Sequence, residues 1–128
     1  MVAQRRRVPI ASVDGMDETG LPEVGDVFMT GTLIFNNGDH AIERPIVVVR
    51  APRHRHDYVT VIQRSSTPKE QKGVDHPCDE TLRLNKDGRW VLDYQRSVRC
   101  DELLAAADHC GTLSDAYLTP LVEMWEQA

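Results

Sequence analysis

Five arginines and two histidines fall inside one stretch, Glu43 to Ser66: Arg44, Arg50, Arg53, His54, Arg55, His56 and Arg64. Side chains of this kind at this density suit the binding of a polyanion, because binding responds to the local field rather than to total charge. The whole chain carries a net charge of −5, yet residues 44–72 hold seven Lys or Arg against two acids. An ordinary solvated loop has the same composition, so charge alone leaves both readings open.

The elements that must position these cations are strands. Ile46 to Val49 and Tyr58 to Ile62 are short, β-branched apolar runs, which fit buried strands better than helices. Pro45 is tolerable at the first residue of a strand. Ahead of them, Val27, Met29, Gly31, Leu33 and Phe35 alternate with their neighbours, predicting one strand from Asp26 to Phe35 that Asn36 to Asp39 ends as a turn. Arg64 to Cys78 reads as a long loop. Thr81 to Leu84 and Trp90 to Tyr94 read as a hairpin across Asn85 to Gly88. After Val98 the pattern turns helical: Asp101 caps a short helix that Gly111 ends, and Ser114 caps a second. Leu118, Leu121, Val122 and Trp125 make one apolar face of that second helix. Pro120 leaves its start open, with Thr119 as the other candidate cap. Five strands and a C-terminal helical pack predict an α+β protein built on a small, strongly bent, barrel-like antiparallel sheet.

At 128 residues the chain suits one domain, spanning 23–128 behind a flexible tail at 1–22 that is poor in large apolar groups. Its 41% hydrophobic and 27% charged content argues against wholesale disorder. Cys78, Cys100 and Cys110 are an odd number without CxxC spacing and predict reduced thiols. The start, MVAQRRRVPIASV, has no signal-like apolar run, and no window approaches a membrane span, so a cytoplasmic protein without a membrane partner is expected. His76, Cys78, His109 and Cys110 lack a common zinc-ligand spacing, so no metal is expected.

Several segments in order are similar to one family. Gly25-Asp26-Val27, Arg44-Pro45-Ile46-Val47-Val48-Val49, Val59-Thr60-Val61-Ile62 with Arg64-Ser65-Ser66, Leu92-Asp93-Tyr94-Gln95-Arg96-Ser97 and Leu113-Ser114-Asp115 resemble the MazF/PemK toxins of bacterial type II toxin and antitoxin pairs. The resemblance covers roughly Val24 to Gln127. It implies an SH3-like barrel, a homodimer, and a metal-independent endoribonuclease that cuts single-stranded RNA at short sequences without a cofactor and is neutralised by a cognate antitoxin. By the same resemblance, Arg44, Ser65, Asp93 and Arg96 match the family's functional positions, and His40 stands in for a first-loop histidine. Ser65 replaces a commoner threonine and keeps its hydroxyl. Tyr94 and Gln95 depart from the family pattern, and the loop from Asn36 to Glu43 is short.

The chemistry so implied makes the ribose 2′-hydroxyl the nucleophile, which excludes DNA as substrate. One group must take the 2′ proton, another must protonate the departing 5′ oxygen, and cations must stabilise charge on the phosphoryl oxygens. Arg44 suits the last task, with its planar fork and permanent charge; the plainer alternative is a salt bridge to Glu43 or Asp26. Ser65 is a phosphate donor or a turn residue. Asp93 is a base or an orienter of an arginine, and His40 a proton exchanger or a solvated loop residue. Arg50, Arg53, His54, Arg55, His56, Arg64 and Ser66 are the expected RNA-holding residues.

A different class keeps the fold without the chemistry: a gyrase poison of the CcdB type or an inactive antitoxin-binding relative. The sequence ends Met124-Trp125-Glu126-Gln127-Ala128, unlike the Trp-Gly-Ile end through which CcdB-like proteins act, which favours the nuclease. A third class, a stacking RNA-binding barrel, is disfavoured by the 5% aromatic content.

Overall fold

The computed structural model describes residues 20–66 and 70–128, apart from the side chains of residues 40–42. The chain forms β1 (Asp26–Thr30), β2 (Thr32–Ile34), β3 (His40–Ile42), β4 (Pro45–Arg50), β5 (Tyr58–Ser65), β6 (Gly73–His76), a 3-10 turn (Glu80–Leu82), β7 (Gly88–Arg99), α1 (Cys100–Ala106), β8 (Ala107–Thr112) and α2 (Asp115–Gln127). Six strands make one sheet in the order β6-β7-β5-β4-β1-β8, every neighbouring pair antiparallel, while β2 and β3 form a separate hairpin. The protein is therefore α+β. Its main sheet is open, with β6 and β8 as edges.

Successive side chains of β4 point to opposite faces of the sheet, and its run from Pro45 to Val49 is apolar because both faces are covered. Phe28, Ile46, Val48, Val59 and Val61 are buried together with Leu33, Phe35 and Leu103 from the β2–β3 hairpin and α1. Val27, Val47, Val49 and Ile62 are buried together with Leu82 and Leu84 from the 3-10 turn and the residues after it, Leu113 from the link between β8 and α2, and Leu121 from α2. Covering both faces of the central strands gives continuous hydrophobic runs, a pattern commoner in parallel sheets.

Several expected boundaries move. The first predicted strand breaks at Gly31, whose N–H bonds Ala106 O at 2.8 Å, so Thr32 to Ile34 leave the main sheet to pair with β3. Part of the predicted long loop is β6, which pairs with β7 from Gly73↔Val91 to His76↔Gly88. Thr81 to Leu84 is accordingly no hairpin partner of Trp90 to Tyr94. It holds the 3-10 turn, stopped by Arg83 in the left-handed region at φ 62°. Gly111 does not end a helix: it lies in β8, where an added Cβ would stand 2.7 Å from Leu82 Cδ2. Pro120 lies inside α2, which runs unbroken from Asp115, and forfeits the bond its N–H would make to Ala116.

Of the predicted tail, residues 1–19 lie outside the described residues, while Leu21 packs against the core and Pro22 is buried. Among the described residues no helix is long and apolar enough to cross a membrane.

Candidate functional site

Antiparallel pairing of β4 with β5 brings the two ends of the basic stretch together at one sheet end. Ile46 pairs with Gln63, so Arg44, two residues earlier, and Ser65, two residues later, leave the ladder side by side. The Arg44 backbone is clamped by buried Thr30: the Arg44 N–H donates to Thr30 Oγ1 at 2.9 Å, and both the hydroxyl and the N–H of Thr30 donate to Arg44 O at 3.1 Å. Pro45 adds a second restraint, since the residue before a proline is steered towards extended backbone.

The Arg44 side chain opens onto a cleft of about 320 Å³ lined by Met29, Glu43, Pro45, Arg64, Ser66 and the segment Arg83 to Lys86. Four cations (Arg44, Arg64, Arg83, Lys86) thus face one carboxylate, Glu43. The Arg44 guanidinium has no ion pair among the described residues. Asp26, its alternative partner, instead stands 3.2 Å from His109 Nε2 and accepts from Glu23 N at 2.8 Å.

Arg64 forms a buried wall of this cleft, being 4% exposed. Its Nη2 donates to His76 O at 2.6 Å and more weakly to Pro77 O at 3.4 Å, and its guanidinium carbon lies 5.7 Å from the centre of the Trp90 ring. Space for it depends on Gly88, where an added Cβ would stand 2.8 Å from Arg64 Nη1 and 2.7 Å from Ser65 O. Burial pushes the Arg64 guanidinium below the ordinary arginine range, opposed by Asp87, Cys78 and Asp79; arginine stays charged regardless. Arg64, expected to hold RNA, is thus placed as a fixed, buried charge in the cleft wall, with backbone carbonyls occupying part of its fork.

His76 shares this substructure. It is 2% exposed, stacked on Trp90 with ring centres 6.1 Å apart and tilted against Tyr117 at 4.3 Å. Trp90 Nε1–H donates to His76 Nδ1 at 3.3 Å, which puts the proton of the neutral ring on Nε2, 3.4 Å from Asp79 Oδ2. Burial, then the charge of Arg64, pushes its pKa below the ordinary 6.5, with Asp79 opposing. The unfolded chain takes up a proton that the folded chain resists. Stability is therefore full above about pH 6.5 and is lost as pH falls towards the lowered folded value. Urea midpoints measured at pH 7.5 and 5.5 should fall with acid in the wild type and change much less in His76→Phe; equal slopes in the two proteins would remove His76 as the cause.

The remaining expected residues divide. Ser65 is buried at 8% exposure, and the hydroxyl residue that lines the cleft is exposed Ser66. Asp93 and Arg96 do not line it. Asp93 lies where the β5–β7 register shifts, between Ile62↔Gln95 and Arg64↔Trp90. Arg96 Nε pairs with Asp39 at 2.9 Å and Nη1 donates to Gln95 O at 2.8 Å, so Arg96 braces β7 against the turn before β3. The backbone of His40 pairs with Ile34 in β3; its side chain lies outside the described residues.

The loop carrying Arg53, His54, Arg55 and His56 is not beside Arg44 and Ser66. It joins the far ends of β4 and β5, one six-residue strand away, about 20 Å at the usual rise per residue. Arg50 closes that same far end. There Arg53 Nε meets Asp57 at 3.4 Å, and Asp57 is lowered to about 2, chiefly by the Arg53 backbone N–H. His56 Nδ1 lies 3.0 Å from Arg99 Nη2 and 3.4 Å from Asp101. The single basic segment of the sequence is thus two basic ends, because a hairpin separates residues close in sequence by its own length.

Glu43, Arg83, Asn85 and Lys86 are cleft residues that the sequence reading missed. For Asn85 and Lys86 the signal is the polar run Asn85 to Gly88, which by composition reads as a turn. Among the described residues no group of three or more His, Cys, Asp or Glu is arranged to hold a metal ion. No known family model matches this chain, and no curated protein matches it by sequence.

Proposed function

We propose that this protein is a metal-independent endoribonuclease of the MazF/PemK type, a toxin that cleaves single-stranded RNA by attack of the 2′-hydroxyl. The observation that carries the reading is Arg44: a backbone-clamped arginine, without an ion-pair partner among the described residues, in a cleft lined by four cations and one carboxylate. Arg44 holds the scissile phosphate and stabilises the charge that grows on its oxygens. Ser66 donates to the same phosphate, Glu43, whose carboxylate lines the same cleft, accepts the 2′ proton, and solvent water in the open cleft protonates the departing 5′ oxygen as the P–O5′ bond breaks. The SH3-like barrel, homodimer and cognate antitoxin belong to the same reading; they rest on the ordered segments Gly25–Val27, Arg44–Val49, Val59–Ser66, Leu92–Ser97 and Leu113–Asp115.

A second reading, a non-catalytic binding relative of the same fold, draws on Arg96. The family-matched arginine is committed to Asp39 and is absent from the cleft lining. One experiment separates the two. Purified protein is incubated, in chelator, with a long mixed-sequence single-stranded RNA and with DNA of the same sequence. New RNA ends at a few discrete sites and intact DNA are expected. Binding without cutting, over several RNAs, would favour the second reading, and cutting of DNA would reject 2′-hydroxyl attack.

A further inference from the structure

Two non-glycine residues among those described hold a positive φ, Glu43 at 54° and Arg83 at 62°, and both line the cationic cleft. Side chains other than glycine enter this region at a cost, and such residues gather where a site requires a particular direction of the chain. Glycine would stop the 3-10 turn at position 83 without that cost. The arginine at this position therefore calls for an explanation beyond the turn.

The location of its side chain supplies one. Arg83 Nε donates to Cys110 Sγ at 3.4 Å, and Nη2 lies 3.8 Å from Asp108 Oδ2, so the guanidinium rides over β8. Met29 pairs with Asp108 on one side and with Pro45 on the other. Asp108, on which the Arg83 guanidinium rests, and Pro45, which follows Arg44, thus lie on one row of the sheet on strands two apart, about 10 Å at the usual spacing. That is too far to share one phosphate and near enough to hold two phosphates of a single strand. The side chain of Arg83 is about half exposed, so it can exchange its weak contacts for a ligand. Lys86 adds a cation to the same wall.

We infer that Arg83 is a second phosphate-binding position for single-stranded RNA, engaging a phosphate next to the one held by Arg44; this rests on the proposed RNA-cleaving cleft. The strained backbone at residue 83 serves to present the guanidinium and contributes nothing to the stability of the turn.

The substitution that separates these roles is Arg83→Gly, because glycine is at ease at this φ. The probe is a fluorescent, mixed-sequence, single-stranded RNA with every 2′-hydroxyl methylated, which binds but cannot be cut, titrated across a salt series. Arg83→Gly is expected to keep or raise Tm, to lose affinity roughly tenfold at low salt, and to reduce the slope of log affinity against log salt by about 0.7. Arg83→Lys should retain most of the affinity. Unchanged affinity and slope in Arg83→Gly would overturn the inference, as would an affinity loss that comes with a lower Tm. Arg44→Ala, measured in parallel, separates the two claims. If it too binds like wild type, the cleft is not an RNA site and both readings fall; if it alone weakens binding, only the role of Arg83 falls.

Discussion

Replacing Trp90 by alanine is expected to cost about 3–5 kcal/mol of folding stability, a large share of the roughly 5–15 kcal/mol available to a domain of this size. Trp90 is fully buried in the core on the α2 side of the sheet. Three losses coincide. The indole volume becomes a cavity, His76 Nδ1 loses its donor, and the Arg64 guanidinium loses the ring that lies 5.7 Å from it. Arg64 is already buried, with an Nε that finds no hydrogen-bond partner among the described residues, so the pocket has little capacity to absorb a second defect. Trp90→Phe keeps a ring and most of the packing and should cost much less. Denaturant midpoints with unchanged m-values would measure both. An alanine cost below about 1.5 kcal/mol, outside the usual range for an aromatic core residue, would show that Trp90 does not fix the Arg64 wall of the cleft.

Arg44→Ala is expected to leave the fold intact and to remove most of the activity. Exposed substitutions of this kind typically change stability by no more than about 0.5 kcal/mol, and the clamp on Arg44 is made by backbone atoms that alanine retains. Loss of one positioned donor to a developing anion costs roughly 100- to 1,000-fold in turnover. Arg44→Lys keeps the charge but not the two-pronged geometry and should fall between. Single-turnover cleavage, with the thermal midpoint of each variant measured alongside, separates a chemical loss from an unfolded protein. A wild-type cleavage rate in Arg44→Ala would remove Arg44 from the mechanism.

The central strands were legible in the sequence because their pattern is local: Ile46 to Val49 and Val59 to Ile62 are β-branched runs that only buried strands accommodate well. The edges were not. β6, Gly73–His76, holds a single aliphatic residue and pairs because β7 offers an open ladder, while Asp108 to Thr112 follow alanines that read as helix. Both strands depend on a partner distant in sequence, which no short window contains. The cleft was half legible for the same reason. Arg44 stands out in the basic stretch and the serines after Arg64 match a family pattern, and the antiparallel pairing of β4 with β5 brings both to one sheet end. Arg83 and Lys86 reach the cleft through the 3-10 turn and the long β7 strand that follows it, and the Arg53–His56 loop is carried away from it by the length of β4. Asp93 and Arg96 matched a family pattern by spacing, but the irregular pairing between β5 and β7 sets their position.

If the Arg44 cleft cuts RNA through the 2′-hydroxyl, the chemistry of the new ends must record it. After incubation in chelator, fragments from the wild type should carry a 2′,3′-cyclic phosphate on one side of each cut and a 5′-hydroxyl on the other. A single 2′-deoxy substitution at a mapped site should abolish cutting there and leave other sites unaffected. Ends bearing a 3′-hydroxyl and a 5′-phosphate, or undiminished cutting at the 2′-deoxy site, would rule out attack by the 2′-hydroxyl.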